Sequence, residues 1–192
     1  PTSCTHNSGI SELLRAVGAV LPHVEPGSDP DDSMKLAVVG RPNVGKSSLV
    51  NQLLGTDRVL VSDVPGTTRD AVDVPVSLVR QGANLNLTLI DTAGLRRKRQ
   101  IDSAVEFFSV NRARKAIRRS DVVLLLMDAT APATAQDRRI ARMVLDERKP
   151  CLMAVNKWDL VSGRIPQKEL IHLFRSRMPF MGHAPLHVVC AS

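Results

Sequence analysis

Gly40-Arg-Pro-Asn-Val-Gly-Lys-Ser47 decides how this chain is read. The octet follows the apolar run Leu36-Ala-Val-Val39 and precedes a helix-like stretch from Ser48 to Leu54. Strand, glycine loop and helix form the context in which G-x-x-x-x-G-K-[ST] binds nucleotide phosphates. Gly40 and Gly45 let the backbone curl, so that N–H groups from Asn43 to Ser48, Val44 included, point inward at phosphate oxygens. The N-terminus of the helix adds partial positive charge. Lys46 reaches the β- and γ-phosphates, and the Ser47 hydroxyl is a ligand for Mg²⁺. The competing reading is a glycine-rich turn without a ligand. Such a turn has no use for a lysine and a serine directly after its second glycine.

Composition sets the frame. A chain of 192 residues that is 43% hydrophobic is long and apolar enough to bury a substantial core. The net charge of +7 favours a polyanionic partner, against the plainer reading of a generic basic surface. Aromatics are 3% with no Tyr, so phosphate contact is a better use of that charge than base stacking. Cys4, Cys151 and Cys190 match no zinc spacing and are odd in number, which predicts reduced thiols in a cytoplasmic protein. No run approaches the ~18 apolar residues of a membrane span, and there is no signal-peptide pattern. The chain opens on Pro1 rather than Met, as expected of a fragment of a longer protein.

Residues 10–21 are apolar at helical spacing, and His23 to Asp32 is rich in Pro, Gly and Asp. The expected organisation is therefore the end of a preceding unit over 1–21, a linker over 22–32, and a domain over 33–192. Met34–Val39 reads as a strand, 56–70 as a loop, and Ala71–Val79 as an edge strand that tolerates Pro75. Leu85–Ile90 reads as the second arm of a hairpin. Val122–Met127 and Cys151–Val155 read as buried parallel strands, with a helix over Thr134–Arg148 between them. Leu186–Cys190 is the last apolar run. This alternation predicts an α/β, P-loop fold: a doubly wound, mostly parallel sheet with one antiparallel edge strand.

Three further stretches carry chemistry. Asp91-Thr-Ala-Gly94 follows a strand; Asp91 can hold Mg²⁺ through water and the Gly94 N–H can sense a γ-phosphate. The alternative for Asp91 is a helix cap. Thr67 and Thr68 lie in a long loop, where the Thr68 hydroxyl can complete the Mg²⁺ shell or belong to an ordinary turn. Asn156-Lys-Trp-Asp159 selects the base. Guanine presents two adjacent donors that Asp159 can accept, whereas adenine would leave a carboxylate unpaired at a cost of ~1–3 kcal/mol. Asn156 can bond the base and the neighbouring loop, and the Lys157 stem can cover the base plane. The five histidines form no metal or triad set, and Gln136-Asp137 reads as N-terminal capping.

Together with Pro65-Gly-Thr-Thr-Arg-Asp70 and Asp91-Thr-Ala-Gly-Leu-Arg-Arg-Lys98, these motifs resemble the bacterial GTPase family that includes Era, TrmE and Der (EngA). The stretch Val105 to Asp128 is similar to the second GTPase domain of the Der group. Residues Ser3 to Leu14 are similar to the last base-contacting loop and final helix of the group's first GTPase domain. The resemblance implies a GTP/GDP-binding, GTP-hydrolysing G domain acting in assembly of the large ribosomal subunit. It also implies rRNA as a partner, and an adjoining first GTPase domain and a KH-like domain outside this chain. Cys190 and Ala191 fall where the domain's own last base-contacting loop begins.

Ras-like GTPases place a glutamine after D-x-x-G, but this chain has Leu95, so slow intrinsic hydrolysis is expected. In TrmE-like relatives an asparagine at the position of Asn43 helps hold K⁺ beside the phosphates. Asn43 therefore either holds K⁺ or only stabilises its loop. Arg96 to Arg99, with Arg112, Arg114, Lys115, Arg118 and Arg119, make either an rRNA-docking face or a solvated basic one. The alternative function is a guanine-nucleotide-binding module that hydrolyses little and works by interdomain or rRNA docking.

Overall fold

The computed structural model describes residues 33–55, 59–61, 73–80, 83–92 and 105–190. The helical run 10–21, the linker, Cys4, Thr67, Thr68, Gly94, Leu95, Arg96 to Arg99 and Ala191 lie outside the described residues.

Seven strands make one sheet: β1 (Met34–Val39), β2 (Val59–Val61), β3 (Val74–Arg80), β4 (Ala83–Ile90), β5 (Val122–Asp128), β6 (Cys151–Asn156) and β7 (Leu186–Val188). Their order is β2-β3-β4-β1-β5-β6-β7. β4, β1, β5, β6 and β7 run parallel, and β3 is antiparallel to β4. Among the described residues the α-helices are α1 (Lys46–Leu54), α2 (Val105–Arg119), α3 (Ala135–Asp146) and α4 (Gln167–Arg177).

Burial follows from the alternation of side chains along a strand. Every residue of β5 and β6 is buried. Val123, Leu125 and Met127 join one core with Met153 and Val155, covered by Ile117 of α2, Ile140 and Val144 of α3, and Phe174 of α4. Val122, Leu124 and Leu126 join the opposite core with Leu152 and Ala154, covered by Leu49, Val50 and Leu53 of α1. Helices on both faces make the sheet doubly wound, as expected.

β3 differs from its expected place at the edge. Val59-Leu-Val61, read from sequence as loop, pairs antiparallel with Val76 to Leu78 and becomes the outer strand. An apolar triplet with two β-branched valines, beside an open row of backbone groups, gains ladder bonds by joining it. Pro75 stays harmless because β2 ends opposite Val76, one residue short of it. The β3–β4 hairpin closes at Arg80 opposite Ala83, and Ser77 Oγ donates to Asn86 Oδ1 across it at 2.8 Å. Asp137 caps α3 as expected. Thr134 Oγ1 accepts from the Asp137 N–H at 3.3 Å, and the Thr134 N–H donates to Asp137 Oδ2 at 2.9 Å.

The turn out of β1 depends on close backbone approach. Gly40 has φ +154°, and a Cβ there would sit 2.2 Å from the Leu126 carbonyl oxygen in β5. That neighbour is backbone and cannot rotate away. Gly40→Ala is expected to cost about 2–4 kcal/mol from overpacking and an unfavourable φ. Urea unfolding reads this as a lower midpoint at unchanged slope. A loss under about 1 kcal/mol would show that the loop moves off β5 at little cost.

Candidate functional site

Because five strands run parallel, their carboxyl ends share one side of the sheet, and ligands of open α/β sheets bind there. Arg41 to Gly45 follow β1, Asp91 and Thr92 follow β4, Asp128 ends β5, and Lys157 to Asp159 follow β6. β1 lies between β4 and β5, so the glycine loop sits between Asp91 on one flank and the Asn156–Asp159 stretch on the other.

The loop is shaped for an anion. Asn43 (φ 62°) and Gly45 (φ 98°) are left-handed, which folds successive N–H groups toward one side. Gly45 enters α1, whose first turn carries no acidic residue and whose N-terminus has no side-chain cap. Its first-turn N–H groups, which have no acceptor within the helix, and its dipole therefore face the loop. Lys46 Nζ donates to the carbonyls of Gly40 and Arg41 at 2.9 and 2.7 Å, drawn back across the loop. Burial, with Arg41 as a second cation, lowers the Lys46 ammonium to about 8, partly offset by Asp137. A buried ammonium beside uncapped helix N–H groups fits a phosphate, which answers both charges.

Asn156 Nδ2 donates to the Val44 carbonyl at 2.9 Å and is fully buried. It joins the stretch after β6 to the glycine loop, as the sequence led us to expect. Lys157 turns the chain in a left-handed conformation (φ 63°), and its Nζ donates to Asp128 Oδ2 at 2.7 Å. Trp158 and Asp159 continue in a single 3₁₀ turn, with Asp159 exposed. The Trp158 N–H donates to the Val189 carbonyl at 3.4 Å, which brings the chain just before Cys190 against this turn. Cys190, which follows Val189, is buried. Cys151 is a buried thiol outside any disulfide, pushed by that burial up to about 12 and so unreactive.

Asp91 is left-handed (φ 58°), and its N–H donates to Asp73 Oδ1 at 3.0 Å. Its carboxylate pairs with Arg112 Nε at 3.3 Å. Burial raises the Asp91 carboxyl, and Arg112 pulls the other way. Three of the five cations on α2 are already engaged: Arg112 with Asp91, Arg118 with Glu147 and Arg119 with Asp73. Arg114 and Lys115 are exposed. The Ser47 hydroxyl and the Asp91 carboxylate are hard oxygen donors at the same end of the sheet, which fits Mg²⁺. Asn43 is exposed, and asparagine tolerates the left-handed backbone it adopts here.

Two partners were not singled out from sequence. Arg41 lies 3.4 Å from Asp128 Oδ2 and 3.6 Å from Asp137 Oδ2. Asp128 also accepts from the Thr130 N–H and Oγ1 at 2.9 and 2.7 Å. Burial raises the Asp128 carboxyl, but the bonds from Lys157 and Thr130 outweigh it and hold the group below the usual range. A carboxylate ending a wholly apolar parallel strand was the available signal.

A family model described as 50S ribosome-binding GTPase matches residues 35–157. The chain is similar along its whole length to GTPase Der of Synechococcus sp. (strain JA-3-3Ab) and of Heliobacterium modesticaldum, at 48% identity in each case. It spans 41% and 42% of the length of these relatives. Among solved structures it resembles Era in complex with MgGDPNP and part of 16S ribosomal RNA, with 25% identity and a TM-score of 0.58. That match covers 83% of this chain and 51% of the Era chain. Aquifex aeolicus Era bound to GDP·AlF4⁻ is similar at 25% identity and a TM-score of 0.57, covering 82% of this chain and 50% of that one.

The state of Lys46 has two pH consequences. Its folded value of about 8 lies below the unfolded 10.5, so the unfolded chain binds more protons between these limits. The Lys46 contribution to stability therefore rises with pH across that window and is least favourable below it. A phosphate beside the ammonium restores its proton. Calorimetry of a nucleoside diphosphate at pH 9, in buffers of different ionisation enthalpy, is expected to show net proton uptake. Lys46→Ala should abolish that uptake, and an unchanged value in this variant would assign the proton to another group.

Proposed function

This chain belongs to the family of 50S ribosome-binding GTPases, and from that membership we propose that it is a GTP-binding, GTP-hydrolysing switch acting in assembly of the large ribosomal subunit. The main support is the 2.9 Å bond from Asn156 Nδ2 to the Val44 carbonyl, which ties an N-K-x-D stretch to a phosphate-type loop. In this reading Lys46 and the N–H groups from Asn43 to Ser48 hold the phosphates. Asp159 accepts the two donors on the guanine edge, Lys157 covers the base plane, and Cys190 with Ala191 opens the remaining base-contacting loop. Ser47, Thr68 and Asp91 would hold Mg²⁺, which supplies charge neutralisation at the phosphates, and the Gly94 N–H would sense the γ-phosphate.

Residues 1–21 are read as the end of a preceding GTPase domain, 22–32 as a linker and 33–192 as a second GTPase domain. Among the described residues no helix is long and apolar enough to cross a membrane. A cytoplasmic site of action belongs to the same reading. rRNA is the proposed partner of the basic residues on and before α2. Arg114 and Lys115 are the best placed of those described, since their neighbours are ion-paired. The second reading, a guanine-nucleotide-binding module with little hydrolysis of its own, draws on Leu95, whose apolar side chain cannot orient water.

Multiple-turnover phosphate release separates the two readings. A slow but catalytic release from GTP, and none from ATP, is the expected outcome. A single turnover or less would leave only the binding module. The same assay in KCl and NaCl tests Asn43. Asn43→Gly keeps a left-handed backbone accessible while removing the side-chain oxygen. Faster release in KCl that disappears in Asn43→Gly, with GDP binding retained, is expected if Asn43 holds K⁺. Equal rates in the two salts would leave the residue its loop-shaping role alone.

A further inference from the structure

The parallel register of β5 and β6 sets Asp128 beside Asn156, and the Ala129 N–H donates to the Asn156 carbonyl at 2.8 Å. The next residue, Lys157, then reverses direction in a left-handed turn. This brings its side chain back over the end of β5, where Nζ meets Asp128 Oδ2 at 2.7 Å. The carboxylate that receives it is already oriented. Its other oxygen, Oδ1, takes both the N–H and the hydroxyl of Thr130. The Asp128 side chain is 5% exposed and that of Lys157 25%, so the contact is shielded from competing water.

Arg41 shares Oδ2 on weaker terms. It approaches at 3.4 Å, and neither its Nε nor its Nη2 makes a hydrogen bond among the described residues. Lys157 is therefore the side chain that Asp128 holds in place, while the Nε and Nη2 of Arg41 meet the carboxylates by charge alone.

We propose that Asp128 is a positioning residue for base recognition: it anchors the Lys157 ammonium so that the lysine stem is set in advance as a wall for the purine ring. This deepens the guanine-nucleotide reading above and rests on it. A free lysine of this length samples many rotamers, and binding must then order it. Anchoring removes that cost before the nucleotide arrives, which is preorganisation. Asp128 touches neither base nor phosphate in this account and acts wholly through Lys157.

A double-mutant cycle on GDP affinity, measured by calorimetry at pH 7.5, tests the idea on the whole chain. Asp128→Asn keeps size and shape but replaces a charged acceptor with a neutral amide, and about a tenfold loss of GDP affinity is expected. In a Lys157→Ala background the same substitution should cost less than about threefold, because its route to the base is gone. Arg41→Ala should likewise cost less than about threefold, as expected of an ionic contact without a hydrogen bond. Equal losses from Asp128→Asn with and without Lys157 would overturn the proposal in favour of a general structural role. So would the absence of any loss in the single variant. Failure of the unsubstituted chain to bind GDP would instead defeat the guanine-nucleotide reading itself, so the two failures are distinguishable. Circular dichroism melts confirm that each variant is folded before its affinity enters the cycle.

Discussion

β5, β6 and the Leu36–Val39 part of β1 lie side by side with both faces buried, and this double burial is the constraint on which the molecule depends. A strand covered on both sides has no room for polar side chains along its length. Polar function is displaced to the strand ends, and parallel direction gathers those ends on one side. Asp128, Asn156 and the loop after Val39 are therefore neighbours by topology before any of them makes a bond. Buried at the margin of two apolar cores, they must also satisfy each other, since an unpaired polar group there is costly. The bonds from Asn156 to Val44 and from Lys157 to Asp128 answer that requirement.

Charge at this end of the sheet is balanced in layers. Lys46 sits against backbone carbonyls, with its ammonium lowered by burial, and its charge is only partly met by Asp137. Asp137 is itself fully buried and raised by that burial, though Thr134 and Arg41 oppose the rise. Behind the glycine loop the cations are matched to carboxylates. Facing the phosphate position, an ammonium and an uncapped helix end are not. That asymmetry gives the site its preference for an anion without any single strong contact.

The other flank is organised around Asp91. Its pairing with Arg112, together with the contact between Arg119 and Asp73, ties the end of β4 to α2. The carboxylate assigned to Mg²⁺ thus has a competing cation, and the helix that supplies it also carries the exposed Arg114 and Lys115. If Asp91 holds Mg²⁺ as proposed, metal binding and the disposition of the basic helix would be electrostatically linked through that one side chain.

Much of this was legible in the chain itself. The octet from Gly40 to Ser47, the apolar runs of β1, β5 and β6, the Asn156–Asp159 stretch and the Asp137 cap could be read from residue type and spacing, because each depends on neighbours a few positions away. Tertiary structure decided what depends on distant partners. Whether Val59 to Val61 is loop or strand depends on the open edge of β3, which no local window contains. The same holds for Asp128, an ordinary strand-ending acid in sequence, which becomes the seat of Lys157 because parallel pairing brings β5 and β6 into register. Arg112, read as one of several surface cations, is the counterion of Asp91. Local chemistry selects turns, caps and runs within a few residues. Pairing of charges across the sheet is set by strand order, which only the folded chain possesses.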